Sequence, residues 1–519
     1  MMLIDYLDRG ARVAPDAPCM ARPDGATLST HAEFHQLTHR IAAAFLSEGF
    51  EPGERVAVYS PNDADAFACV VATIRAGGVW TPVNVASRED ETGSFLHLVG
   101  CTRLIYHGSL AGRVPALLER VPSIKSVISI GSGRNDDPVL SDWIASAGTM
   151  CADQSADTNR LAMLAPTGGT TGAPKAVPVT HRQLVLMCLA QNVHFPEQQP
   201  PRYICATPMT HAAGMAAFPV LAEGGRVIIH QGANPVDIFE SIQLNQATRI
   251  FLPPTALYAL LAHPDARAHD FSSLCYFLLA AAPIAPQRLA EAVEVFGPVM
   301  TQLFGQAEAP LVCTVLTRED IADAAANLKH RGRLASCGRP TVAARVEIMN
   351  GVGDLLGPGE RGEIVVRSDL VFGGYWNNPE ASTETRRPGG WHGTGDIGYR
   401  DEDGYIYLLD RKKDIIITGG FNVFPSEVEA VLHTFPAVDD CAVIGVPDDK
   451  WGEAVTAIIE TKPGQTLDSS QVIGACKQAL GSIKAPKSVE FRDLPRSPIG
   501  KVLRRKLRDE YWAHRDRDV

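Results

Sequence analysis

Apolar positions early in the chain alternate between two periods. Over residues 30–50, Leu37, Ile41, Ala44 and Phe45 recur at helical spacing, and Thr30 with Glu33 fits a capping box. This predicts a helix. His31, His35 and His39 fall on one face of it, at i, i+4 and i+8. Such spacing suits a metal ion, but no carboxylate or cysteine completes the set, and the three read as a polar face. RVAVYSP (55–61) then predicts a strand, residues 63–76 a helix, and VWTPVNV (79–85) another strand. LIYHG, SVISIG, RVIIH and RIFLPP are further short apolar strands. Strands alternating with helices imply α/β layering with much parallel sheet. No internal repeat or low-complexity segment interrupts the pattern.

The pattern changes near residue 410. EIVVRS, GYRDEDG and YIYLLD predict short antiparallel strands with glycine turns. RKKDIIITGGFNVFPSEVEAVL (411–432) follows: a charged joint, an apolar strand, a glycine turn and a helix. Residues 1–410 therefore form one expected domain, and the 109 residues from 411 to 519 suffice for a small α+β domain.

Composition narrows the class. The chain has 519 residues, 45% hydrophobic and 21% charged, the proportions of a globular protein with a substantial core. A net charge of −11 argues against a nucleic-acid partner, whose phosphates need basic surface. Residues 411–519 hold 17 Lys+Arg against 16 Asp+Glu, so residues 1–410 carry −12. KVLRRKLR (501–508) is locally basic, either a solvated helix face or a face turned to an anion. Eleven scattered cysteines without a CxxC pair read as reduced, buried thiols of a cytoplasmic protein. No uncharged apolar run reaches the ~18 residues of a membrane span. The N-terminal MMLIDYLDRG, with Asp5 and Asp8, does not read as a secretory signal, nor RDRDV as a peroxisomal address.

The densest chemical signal is Thr167-Gly168-Gly169-Thr170-Thr171-Gly172-Ala173-Pro174-Lys175. Three glycines let backbone N–H groups approach an anion, three threonines add hydroxyl donors, and Lys175 adds a charge. The run suits a polyphosphate. It is not a Walker loop, because Pro174 and Ala176 stand where that motif needs Gly and Ser/Thr. It resembles the phosphate loop of the adenylate-forming superfamily, which includes acyl-CoA synthetases, peptide-synthetase adenylation domains and beetle luciferases. It departs from the pattern [ST]-[ST]-G-[ST]-T-G-x-P-K-G at Gly168 and Ala176.

Further segments match that family in order. Phe304-Gly305-Gln306-Ala307-Glu308 resembles Y-G-x-T-E, which implies that Phe304 stacks on adenine and Glu308 holds Mg²⁺. Ala307 replaces a threonine whose hydroxyl contacts the α-phosphate, and losing such a bond costs about 1.5–3 kcal/mol. Ala280-Ala281-Ala282-Pro283 occupies the place of G-[GA]-A-P, lining the adenine and acyl pockets, and Gln302 that of an amide facing the adenine amino group. Thr394-Gly395-Asp396 matches T-G-D, whose Asp accepts from both ribose hydroxyls; Arg411 should also reach the ribose. Met209-Thr210-His211 resembles the family's His or aromatic gate. After it, Ala212, Gly214 and Met215 provide no Asp for an amino-acid ammonium and leave room for a bulky or long apolar acid. In Pro498-Ile499-Gly500-Lys501-Val502-Leu503-Arg504, Lys501 would bridge the attacking carboxylate and the α-phosphate.

The resemblance implies a large domain of layered β-sheets and helices with a small β-barrel-like part, plus a small mobile C-terminal domain. It also implies two half-reactions, adenylation by Mg·ATP and transfer to a thiol, with Lys413 as the hinge between them. Gly419 and Gly420 would line the thiol tunnel, and GGFNVFPSEVE follows the coenzyme A ligase form. The alternatives are an acyl-adenylate ligase that loads a carrier protein, and a non-catalytic nucleotide-binding relative, which Ala307 alone supports.

Overall fold

The helix predicted over residues 30–50 forms as His31–Ser47. Its capping box closes both ways: Glu33 N donates to Thr30 Oγ1 at 3.2 Å, and Thr30 N donates to Glu33 Oε2 at 2.8 Å. The structure, a computed structural model, describes residues 1–134, 136–145, 147–149, 156–167, 174–496 and 502–513. Two compact units emerge, Met1–Val346 with Val366–Arg386, and Glu347–Val365 with Arg387–Val519.

The first unit contains two sheets. A six-stranded sheet has the order Ser126–Ile130, Arg103–His107, Arg55–Tyr59, Val79–Thr81, Leu161–Thr167 and Lys175–Thr180. The first five strands run parallel, and the last turns back antiparallel as the edge. Pro178 is tolerated there because an edge strand has one side free of ladder bonds. A nine-stranded sheet has a parallel centre running from Pro18–Ala21 through Arg226–Ile229, Arg202–Cys205, Arg249–Leu252 and Tyr276–Leu279 to Met300–Gln306. Its edges are antiparallel, with Ala309–Leu316 beyond Met300–Gln306.

Helices fill the space around these sheets. Phe45 of His31–Ser47, Phe67 of Ala64–Arg75, Met187 of His181–His194 and Phe218 of Ala212–Ala222 share one core with Val58 and Tyr203 from the two sheets. Ala64–Arg75 is buried on nearly every face, which explains its almost continuous apolar sequence. The strand predicted over residues 79–85 stops at Thr81, since Pro82 has no N–H to continue a ladder. The histidine face is not uniformly polar: His31 and His39 are buried, and His31 Nε2 lies 2.9 Å from Gly225 O. One segment's periodicity cannot foresee which distant chain covers it.

Strands Arg345–Met349, Gly362–Arg367, Trp391–Arg400 and Ile406–Arg411 share a sheet that belongs mostly to the second unit. A second sheet is built on the long hairpin Val438–Asp448 and Gly452–Thr461. Alternation along that hairpin serves two cores. Cys441 and Val443 join helices Pro425–Leu432 and Ser469–Lys484 on one side, while Ala442 and Ile444 meet Leu507 of Arg504–Trp512 on the other. The described cysteines form no disulfide with one another, and all but Cys275 are buried. Among the described residues, no helix is long and apolar enough to cross a membrane.

Two buried histidines set an acid limit. Burial, aided by the Arg160 charge, pushes His181 down to about 4, and its Nδ1 accepts from Leu3 N at 3.3 Å. Burial also pushes His230 down to about 4. The unfolded chain takes up these protons near pH 6.5, whereas the folded chain refuses them until about 4. Stability from both groups is therefore complete above pH 6.5 and is lost as pH falls towards 4. Urea-unfolding midpoints should drop across this window, and less steeply in His181→Asn. A flat profile would show that neither site excludes protons.

Candidate active site

Thr167 and Lys175 are the last paired residues of the hairpin between Leu161–Thr167 and Lys175–Thr180. The run expected to hold phosphate therefore begins and ends on these two paired residues. Its members Gly168, Gly169, Thr170, Thr171 and Gly172 lie outside the described residues. Lys175 places its ammonium 4.9 Å from the centre of the Tyr375 ring. The Tyr375 hydroxyl donates to Glu308 Oε1 at 2.6 Å. Backbone bonds fasten the same segment at both ends: Trp376 N donates to Ala176 O (2.9 Å), and Phe372 N donates to Glu308 O (2.8 Å). Phe372 and Tyr375 meet edge to face, with centroids 4.9 Å apart. Residues 372–376 therefore clasp the base of the phosphate loop to the turn that carries Glu308. Sequence reasoning missed Tyr375. Its signal was the run Phe372-Gly373-Gly374-Tyr375-Trp376, two aromatics after a glycine pair in a loop.

Met300–Gln306 brings Gln302 and Phe304 to the same end of the sheet. Gln302 is buried, and its Oε1 has no hydrogen-bond partner among the described residues. A buried carbonyl oxygen left alone costs about 1–3 kcal/mol, so this atom is suited to a ligand donor such as an exocyclic amine. Phe304 is half-buried, as a stacking ring must be. Gly305 has a steric reason: a Cβ there would stand 2.6–2.8 Å from the Leu311 backbone. Gln306 closes the turn opposite Ala309, and Ala307 rests against the core. Beyond strand Tyr276–Leu279, Ala280 is buried, Ala282 half-buried and Pro283 exposed. Ala281 is exposed at φ +77°, where a Cβ is strained.

His211 precedes helix Ala212–Ala222, and burial lowers its imidazole below the ordinary range, so it is neutral at pH 7. Thr210 Oγ1 donates to Val83 O at 2.9 Å and fixes this turn. Gly214 is taken up by packing, because a Cβ would lie 2.1 Å from Met209 O and 2.9 Å from the Phe67 ring. Ala212 and Met215 are half-buried.

In the second unit, Asp396 and Arg411 are cross-strand partners, and Arg411 Nε lies 2.7 Å from Asp396 Oδ1. The Asp396 side chain is 4% exposed and that of Arg411 48%. Lys413 lies in the turn Lys412–Asp414, and its carbonyl accepts from Arg508 at 3.1 Å. Gly419 (φ 57°) and Gly420 (φ 81°) form the two-residue turn between Ile416–Thr418 and Phe421–Val423. That turn requires left-handed backbone at both positions. A Cβ at Gly419 would also stand 2.8 Å from the Trp451 ring. Lys501 lies outside the described residues; flanking residues 497–501, Arg496 and Val502 form a bridge and Leu503 N donates to Pro495 O at 2.7 Å. Just beyond, Arg504 contacts Asp410 at 3.2 Å and Glu429 at 2.5 Å.

Fold and site together define a nucleotide-handling α/β enzyme. The chain belongs to the AMP-binding enzyme family: residues 7–376 match the AMP-binding enzyme domain and residues 427–501 the AMP-binding enzyme C-terminal domain. It is 36% identical to the medium/long-chain-fatty-acid–CoA ligase FadD8 of Mycobacterium tuberculosis, over 93% of this chain and 86% of that protein. It is 34% identical to a feruloyl-CoA synthase of an Amycolatopsis species, covering 97% of this chain and 98% of the relative. The structure of the amide bond synthetase McbA from Marinactinospora thermotolerans superposes with a TM-score of 0.88 at 30% identity, covering 98% of this chain and 100% of that one.

Ala281→Gly should relieve the φ strain and stabilise the chain by about 0.5–1 kcal/mol after the entropy cost of glycine. Chemical denaturation measures this, and a loss of stability would mean that the Ala281 methyl makes contacts worth more than the strain.

Proposed function

We propose that this chain activates a carboxylic acid with ATP to an acyl-adenylate and then transfers the acyl group to coenzyme A. The observation that carries the proposal is the clasp of Lys175, Tyr375 and Glu308, in which one tyrosine holds a hard carboxylate on its hydroxyl and carries a cation against its ring. The orphan oxygen of Gln302 supports an adenine site next to it. Relatives named for long-chain fatty acids and for ferulate support an apolar, bulky or long acid. The half-buried Ala212 and Met215, beside neutral His211 and the buried Ala280, are the positions proposed to meet it.

In the first step a carboxylate oxygen attacks the α-phosphorus, and the bond from that phosphorus to the oxygen bridging to the β-phosphate breaks. Pyrophosphate leaves with the electron pair. Anion attacks anion, so preorganised positive charge supplies most of the rate. Loop N–H groups at Gly168, Gly169 and Gly172, hydroxyls of Thr167, Thr170 and Thr171, and the Lys175 ammonium would hold the polyphosphate. Lys501 would bridge carboxylate and α-phosphate. Glu308 would hold Mg²⁺, whose charge offsets that of the phosphates, while Tyr375 fixes the carboxylate through Oε1. Phe304 and Gln302 would take the adenine, alongside the backbone of Gly305, Gln306 and Ala307 and the segment Ala281-Ala282-Pro283. Asp396 and Arg411 would take the ribose hydroxyls. In the second step the thiol sulfur attacks the acyl carbon, AMP departs with the electron pair, and the thiol proton passes to solvent. Turning of residues 411–519 about Lys413 would exchange Lys501 for the Gly419–Gly420 turn between steps.

Mass spectrometry on reactions with ATP, Mg²⁺, coenzyme A and a panel of aliphatic, aromatic and polycyclic acids tests the proposal. Acyl-CoA, AMP and pyrophosphate are the expected products. Adenylate without thioester would remove the coenzyme A half in favour of a carrier-protein acceptor, and no pyrophosphate with any acid would remove both. Lys501→Ala should lower pyrophosphate release by roughly 100-fold or more. Thioester formation from supplied adenylate should survive this change, and equal loss in both steps would contradict the role given to Lys501.

Tyr375→Phe keeps the ring under Lys175 and deletes the bond to Glu308. A bond to a charged group is worth about 1.5–3 kcal/mol, so roughly 10- to 100-fold more Mg²⁺ should be needed for half-maximal rate. An unchanged Mg²⁺ dependence would show that Tyr375 does not position the metal ligand.

A further inference from the structure

Far from residues 167–175 in sequence, His35 and His39 of helix His31–Ser47 gain a carboxylate from another helix. Asp8, from helix Leu3–Val13, brings Oδ2 to 3.6 Å from His35 Nε2. His35 Nε2 in turn lies 3.2 Å from His39 Nε2, one helical turn on. The three ligand atoms all fall within 4.8 Å of one another. Ligands about 2.0–2.1 Å from a tetrahedral ion stand about 3.3 Å apart, so the two imidazoles are already at coordination spacing.

We propose that Asp8, His35 and His39 form a binding site for a borderline divalent cation, Zn²⁺ foremost, with water as the fourth ligand. Two imidazoles and one carboxylate match the donor preference of Zn²⁺, Co²⁺ and Ni²⁺ rather than that of Mg²⁺ or Ca²⁺. The surroundings support the donor set. Arg75 holds Asp8 from behind, with Nη2 2.5 Å from Oδ1 and Nη1 3.0 Å from Oδ2, and donates from Nε to Thr38 Oγ1 at 3.2 Å. Arg75 bonds both carboxylate oxygens, so an ion would displace Nη1 from Oδ2 while Nη2 goes on orienting the carboxylate through Oδ1. Access is open on one side, since the side chains of His35 and Asp8 are 27% and 17% exposed, while His39 is buried beneath them. The ion would staple the first helix of the chain onto the second, giving a stabilising function separate from the chemistry at Glu308. A plain N–H···N bond between the two imidazoles has the same spacing, and titration separates the two cases.

The test uses tag-free, nucleotide-free chain, titrated with Zn²⁺ by calorimetry and with Co²⁺ by visible absorption. Expected are one ion per chain, micromolar or tighter affinity, the intense bands of four-coordinate Co²⁺, and a thermal midpoint several degrees higher with Zn²⁺. His35→Asn and His39→Gln should each weaken Zn²⁺ binding at least about tenfold and abolish the thermal gain. His35 is partly exposed, so His35→Asn decides the matter if His39→Gln does not fold. Absence of binding below millimolar Zn²⁺, or wild-type affinity in His35→Asn, overturns the site.

Discussion

The contact on which the candidate site depends is the hydroxyl of Tyr375 on the carboxylate of Glu308, with Lys175 over the same ring. Lys175 starts the edge strand of the six-stranded sheet, and Glu308 sits at a turn of the nine-stranded one. These sheets are separate hydrogen-bonded systems, joined through packed helices. Packing alone sets the distance between their ends loosely, on the scale of a side chain. A loop that bonds by backbone to Ala176 O and Glu308 O sets it to the length of hydrogen bonds. Phosphate chemistry needs that tighter tolerance, because a preorganised charge gains its advantage only where it need not move.

Much of this was legible in the sequence because the signals are local. The capping box of Thr30 and Glu33, the alternation in residues 55–81 and the glycine-threonine run each carry their meaning within a few residues. Pairing across the chain was legible only through family likeness, as for Asp396 and Arg411, which prove to be cross-strand neighbours. Asp8 and Tyr375 were not legible. Each acts on a partner distant in sequence, and neither stands in a pattern whose period betrays it. The histidine face misled for the same reason: its periodicity was real, but its cover came from helix Leu3–Val13 and from Gly225.

Small residues carried two meanings that the sequence alone could not separate. Gly214 reads as space for substrate, yet its hydrogen faces the Met209 carbonyl and the Phe67 ring. Gly419 and Gly420 read as a passage for a pantetheine arm, yet left-handed backbone already requires both. Packing and turn geometry are sufficient reasons for these glycines, so their presence says little about the acyl group or the thiol. Under the proposed function, substrate choice would rest on larger, partly exposed neighbours such as Met215.

The proposed hinge has a mechanical consequence. Arg504 begins helix Arg504–Trp512, three residues after Lys501, and ties that helix to Asp410 on the strand that leads to Lys413 and to Glu429. Burial raises Asp410 and lifts Glu429 to about 7, against the favourable charge of Arg504. Removing one partner from such a buried cluster costs about 3–5 kcal/mol, because the remaining charges stay desolvated. Arg508 adds bonds to the Lys413 carbonyl and to Asp414. A turn about Lys413 therefore cannot leave both arginine contacts intact, since Asp410 lies on one side of that residue and Asp414 on the other. Arg504 would resist rotation while Arg508 travels with it. Under the proposed rotation the cluster would act as a latch between the two half-reactions, weakest where the Glu429 carboxyl is neutral.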